Sequence, residues 1–138
     1  MKKLLLLSAL LIFACSYGQD EETVPVYPGC KIKASNSEKR KCMSSAISEF
    51  VVRKFDTDTA KDLGLSGRQR IAVIFKIDKK GYVKDIRIRA PHPRLEKEAF
   101  RVINMLPRMI PGTVNGQPVI VPYSLPITFQ VAPSAATK

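Results

Sequence analysis

Between Arg70 and Val131 the hydrophobic period changes from two to 3.6 and back to two, and that order limits the folds open to the chain. Gln69 to Asp78 alternates: Ile71, Val73, Phe75 and Ile77 share one face, and Ala72, Ile74, Lys76 and Asp78 share the other. Asp78-Lys79-Lys80-Gly81 supplies a short turn, with Gly where a positive φ is required. Tyr82 to Ala90 returns as a second strand, with Ile86 and Ile88 on its apolar side and Asp85, Arg87 and Arg89 outward. Ala90-Pro91-His92-Pro93 ends the hairpin. Leu95, Ala99, Val102, Ile103 and Leu106 then form a helical stripe, with Glu96, Lys97, Glu98, Arg101 and Asn104 outside it, until Pro107 stops the helix. Pro111 to Pro118 is a loop containing the turn dipeptide Asn115-Gly116, and Val119 to Val131 is a long closing strand. The order predicts an α+β fold: a small antiparallel sheet of about three strands, a hairpin plus the C-terminal strand, with two to three helices packed on one face.

The closing strand carries a constraint of its own. Val119, Val121, Tyr123, Leu125, Ile127 and Phe129 alternate with Ile120, Pro122, Ser124, Pro126, Thr128 and Gln130. Pro122 and Pro126 have the same parity, so their missing N–H groups belong to one edge. A central strand needs donors on both sides. One edge of this strand therefore faces solvent, a bulge or a partner.

Upstream, Ser35-Asn36-Ser37-Glu38 matches a capping box and predicts a helix with Met43, Ile47, Phe50, Val51 and Lys54 on one stripe. A short helix over about Thr59 to Leu63 follows and stops at Gly64. Val24 to Cys30 is extended, because each proline restricts the residue before it. Gln19 to Thr23, polar and acidic, is expected to be disordered. The expected organisation is residues 1–18 as a signal peptide, 19–34 as an extended N-terminal segment, 35–131 as the domain and 132–138 as a flexible tail.

The signal reading rests on the basic start Met1-Lys2-Lys3, the apolar run Leu4 to Ala14, which is short for a membrane span, and the small residues of Ser16-Tyr17-Gly18. Ile12-Phe13-Ala14-Cys15 offers a second cleavage, resembling a lipobox, in which Cys15 becomes a lipidated N-terminus. Cleavage before Gln19 removes Cys15 and leaves Cys30 and Cys42. In an exported chain two remaining cysteines point to a disulfide, and their spacing does not suit zinc. Two buried free thiols are the alternative. Loss of Lys2 and Lys3 with the signal lowers the formal charge of +11 by two. Outside the cytoplasm the polyanions within reach are lipid phosphates, cell-wall polymers and acidic protein surfaces. There is no aromatic-rich basic stripe to stack bases, so no nucleic acid is expected.

No catalytic constellation is expected. His92 is the single His, which excludes a His-based triad or a multi-His metal site, and its place between two prolines makes it a loop residue. There is no phosphate-cradling or dinucleotide fingerprint, and no cofactor or metal is expected. Glu96 and Glu98 look solvated, with Glu98 in reach of Arg101 one turn on. Arg87, Arg89, Arg94, Arg101 and Arg108 are either a basic cluster near one end of the sheet or, as favoured here, scattered surface charge.

The residues quoted so far resemble a family. Leu65-Ser66-Gly67 before the first strand, Phe75-Lys76-Ile77-Asp78 running into its turn, the helix Leu95-Glu96-Lys97-Glu98-Ala99-Phe100-Arg101-Val102-Ile103, then Leu106-Pro107-Arg108-Met109-Ile110-Pro111-Gly112 and Leu125-Pro126-Ile127-Thr128-Phe129 are similar, in order, to the C-terminal domain of TonB. Tyr27-Pro28-Gly29-Cys30 resembles the stand-alone, exported TonB-like domains of the Bacteroidota. The resemblance implies a non-catalytic periplasmic protein-binding module. Its partner would be the TonB box of an outer-membrane transport receptor, added as a strand to the sheet edge. By position the contact region runs from Val119 to Ile127, with Val119, Val121, Tyr123, Ser124, Leu125 and Ile127 as candidate partner-binding residues. The transmembrane helix and Pro-rich spacer of the transducer are not seen in this sequence, so no link to a membrane motor is expected. The alternative is an envelope-associated structural protein that binds peptidoglycan or another envelope polyanion. An open strand edge also allows a strand-exchanged homodimer.

Overall fold

A computed structural model of the protein describes residues 18–133. The expected signal peptide, Cys15 included, falls outside the described residues except for Gly18, and so does the expected tail from residue 134.

The main sheet is antiparallel, with strand order β3-β2-β6: β2 (Gly67–Ile77) lies between β3 (Val83–Arg89) and β6 (Val121–Val131). The α+β architecture matches the sequence expectation. The odd residues of β2 face inward, and Ile71, Val73, Phe75 and Ile77 are fully buried. Each contributes roughly 1.5–3 kcal/mol by leaving water. α1 (Asn36–Lys54) lays Met43, Ile47 and Val51 on that face, and α3 (Pro93–Asn104) lays Leu95, Ala99, Val102 and Ile103 beside them. The short α2 (Asp58–Asp62) adds Ala60, and the chain then turns through Gly64 at φ 71°.

Local chemistry explains where the elements begin and bend. Ser35 caps α1 through the predicted box: its hydroxyl accepts from the Glu38 N–H, and Glu38 accepts from the Ser35 N–H at 2.9 Å. His92 is more than a loop residue: its Nδ1 accepts from the Arg94 N–H and caps α3. In the β2–β3 turn, Asp78 accepts from the N–H groups of Lys80 and Tyr82, and Gly81 takes φ 90°. A bulge at Asp85, whose φ is 50°, sets two residues of β3 against Phe75. It lets Val83 and Ile86, three apart, both pack against the core.

The second sheet was not anticipated. β1 (Glu22–Thr23), β4 (Thr113–Val114) and β5 (Gln117–Pro118) form a three-stranded ribbon around the Asn115-Gly116 turn, which takes φ 50° and 78°. The expected disorder of residues 19–23 is therefore corrected. The Asn115 side chain accepts from the Glu21 N–H and donates to Asp20, both at 2.9 Å, tying this acidic segment down. The expected single strand from Val119 is also interrupted, because Val119 and Ile120 separate β5 from β6.

Cys30 and Cys42 form a disulfide, with Cα atoms 6.0 Å apart, as expected from the sequence. It joins the N-terminal segment to the first half of α1. Val24, Pro25 and Val26 of that segment are buried, and Val26 exchanges two backbone hydrogen bonds of 3.0 Å with Ile110.

Candidate functional site

β6 pairs with β2 along its whole length, from Gly67 opposite Val131 to Ile77 opposite Val121, and it is the last strand of its sheet. Its other edge is therefore unpaired within the main sheet. In an antiparallel strand, the N–H and C=O of one residue point to the same side. Pro122 and Pro126 cannot supply a ladder donor, so the even-numbered residues turn their main-chain groups to the open edge. That edge offers the N–H groups of Ser124, Thr128 and Gln130 and the carbonyls of all five even residues. It is richer in acceptors than in donors.

The side chains of the candidate residues divide by parity. Leu125 and Ile127 are buried in the core. Tyr123 is half-buried, with its ring centroid 5.4 Å from that of Phe75 and its hydroxyl 2.5 Å from the Ser44 hydroxyl of α1. Val121 is half-buried and packs against Gly112. Val119 lies before the strand, its N–H donating to the Gly112 carbonyl at 2.9 Å. Of the six, only Ser124 has an exposed side chain. The six share one short stretch of chain, but four of them, Val121, Tyr123, Leu125 and Ile127, spend their side chains holding β6 in place.

A cleft of about 230 Å³ runs beside this edge, with Ser48, Val51 and Val52 of α1 on one wall and Pro126, Ile127 and Thr128 on the other. Val52 is 69% exposed. The periodic stripe of α1 did not include Ser48 or Val52; an apolar residue next to the stripe and outside it was the available signal.

The charged groups noted in the sequence serve other ends. Glu98 is not solvated: its side chain is 12% exposed, and it accepts from the Asp56 N–H at 2.9 Å and from Arg101 at 2.6 and 2.9 Å. Arg101 also donates to the carbonyl of Lys54 at 2.9 Å. The pair thus clamps the end of α1 onto α3. The Arg101 guanidinium, and secondly the Asp56 N–H, hold the Glu98 carboxyl below its ordinary range against the opposing effect of burial. Arg108 donates to the Lys80 carbonyl at 2.7 Å and lies over the Tyr82 ring. Arg87 and Arg89 lie on β3 and take no part in either contact. A wider cleft of about 590 Å³ follows the outer face of α3, lined by Arg94, Lys97, Phe100 and Met105 among others, and does not touch β6.

Among the described residues, no group of three or more His, Cys, Asp or Glu is placed to hold a metal ion, and no helix is long and apolar enough to cross a membrane. No curated protein and no solved structure matches the chain. The model of the Gram-negative bacterial TonB protein C-terminal matches residues 58–131, which take in α2, the whole main sheet and α3. Domains of this type are periplasmic, non-enzymatic modules of protein interaction in the cell envelope. With more than half of its length matched, and with the open-edged sheet the match covers, the chain belongs to the family of TonB C-terminal domains.

Proposed function

We propose that the protein is exported to the periplasm and binds extended segments of outer-membrane transport proteins by adding them as a strand to β6. The observation that carries this reading is the open β6 edge, unpaired within the main sheet and flanked by the cleft against α1. Strand addition draws affinity from main-chain hydrogen bonds and specificity from pockets for alternate side chains. Here the donors are Ser124, Thr128 and Gln130. Pro122 and Pro126 restrict the bonds an incoming strand makes and blunt the edge against unwanted pairing. Val52 and Pro126 give the incoming strand an apolar wall. Tyr123, Leu125 and Ile127 act from beneath, by fixing the strand.

Calorimetric titration of the exported protein with synthetic TonB-box peptides tests the reading. Binding that is weakened in Thr128→Pro, which removes one open-edge donor, supports it. Absence of binding to the wild-type chain contradicts it.

A further inference from the structure

The face of the main sheet turned away from the helices is densely basic. Arg68, Arg70 and Lys76 on β2 and Lys84, Arg87 and Arg89 on β3 are all exposed there. The register sets Arg89 opposite Ala72, Arg87 opposite Ile74 and Lys76 directly opposite Lys84. Arg70 is one diagonal step from Arg89. The internal compensation is small: Lys76 meets Asp85 at 3.0 Å, and among the described residues the other five make no ion pair. Glu96 lies at the margin, its carboxylate accepting from the Ala90 N–H at 3.3 Å. Like charges facing each other across a ladder destabilise it. Asp85 offsets part of that cost, and Asp78 near Lys84 and Glu96 at the margin offset a further part, leaving six cations against three carboxylates.

The shape adds a second clue. Ala72 and the half-exposed Ile74 floor a cleft of about 570 Å³ beneath Arg87 and Arg89. The floor is apolar, and the rim carries Arg87 and Arg89 together with the single carboxylate of Glu96. Arg68 with Arg70, and Arg87 with Arg89, are each two residues apart on one strand, a spacing of about 6.8 Å. An extended polypeptide presents its alternate side chains at that same repeat. The guanidinium fork also matches a carboxylate with two parallel hydrogen bonds.

We propose that the open face of the β3-β2-β6 sheet docks an acidic, extended protein segment, laid along the strands with its carboxylates on the Arg68–Arg70 and Arg87–Arg89 pairs. This contact runs through side chains and is separate from the β6 edge. A lipid surface suits the face less well: its exposed apolar groups, Ala72 and Ile74, are few among six cations, and the exposed Tyr82 at its turn end is covered by the Arg108 guanidinium.

The test uses the whole exported chain and a fluorescent peptide of alternating glutamate and serine, with anisotropy read at low and high salt. The expected result is salt-sensitive binding that Arg87→Glu/Arg89→Glu weakens by about tenfold or more, with circular dichroism confirming the fold. The charge-matched Arg94→Glu/Lys97→Glu on α3 is expected to change it by less than about twofold. Arg87→Gln/Arg89→Gln, which adds no negative charge, is expected to weaken binding as well. Equal losses in the two Glu variants would reduce the effect to net charge and overturn the proposal. So would absence of peptide binding at low salt, including the case in which the chain binds phosphatidylglycerol vesicles instead. Thr128→Pro separates the two surfaces, since it impairs strand addition and is expected to leave the glutamate peptide bound.

Discussion

The Met109 N–H donates to the Gly81 carbonyl across 2.9 Å, and a Cβ on Gly81 would lie 1.7 Å from the Met109 carbonyl oxygen. The β2–β3 turn is thus docked, backbone on backbone, against the segment that follows α3. Gly81 is required twice, for its φ of 90° and for this approach. Gly81→Ala is expected to destabilise the protein by about 2 kcal/mol or more. Lys79→Ala, in the same turn, should change stability by less than about 0.5 kcal/mol. Urea unfolding at neutral pH measures both.

The disulfide closes a short loop, its cysteines twelve residues apart. On the chain-entropy model, Cys30→Ser/Cys42→Ser costs about 3 kcal/mol, a large share of the stability of a domain this size. Because the bridge ties the N-terminal segment to α1 and takes no part in the β2–β6 ladder, the main sheet is expected to survive. Thermal unfolding gives the cost, and amide spectra of β2 and β6 in the variant show whether their pairing persists.

Glu98 sets a pH dependence whose sign follows from its partners. Its folded pKa is lowered by Arg101 and the Asp56 N–H. The stability it contributes is therefore fully present above its unfolded pKa, close to 4.5, and is lost as pH falls through the lower folded value. Asp78 acts in the same direction, lowered chiefly by the Tyr82 N–H. Stability should hold between neutral pH and about pH 5 and fall below about pH 4. Glu98→Gln is expected to lose about 2 kcal/mol at neutral pH, with the difference from wild type narrowing in acid. Urea midpoints measured across that range check it.

The Pro parity of β6 makes a prediction about the strand itself. Thr128→Pro removes a donor from the open edge and should cost less than about 1 kcal/mol, as proline is tolerated where the strand has no neighbour. Phe129→Pro removes a ladder donor to β2. It should be less stable than Phe129→Ala by about 2 kcal/mol or more, because proline removes a ladder hydrogen bond within the sheet and leaves the carbonyl opposite, on half-buried Gln69, without its partner. If Thr128→Pro proved the more damaging of the two proline changes, the assignment of edges would be reversed.

The long strands and both long helices were legible because each buries one face, which writes a period into the sequence. β1 was not, because two residues carry no period and its anchor, Asn115, lies more than ninety residues away. Asn115-Gly116 announced a turn, but the flanking two-residue strands were too short to see. The bulge at Asp85 did leave a trace, since Val83 and Ile86 cannot share a face of a regular strand. Glu98 looked solvated because its neighbours, Asp56 and the end of α1, arrive from far away in sequence. The basic face was half legible. Arg87 and Arg89 were outward by parity, but cross-strand register joined them to Arg68 and Arg70, while the later arginines went to α3 and to the turn. For the candidate site, sequence gave the open edge through Pro122 and Pro126, and α1's part in it came only with the fold.

Hydrogen exchange at single amides of β6, with and without a saturating TonB-box peptide, tests the central reading most directly. The account predicts that the amides of Ser124, Thr128 and Gln130 exchange readily in the free protein and become protected when the peptide is bound. Those of Tyr123, Leu125 and Ile127, already bonded to β2, should change little. Unchanged exchange at Ser124, Thr128 and Gln130 under saturating peptide would contradict strand addition at this edge.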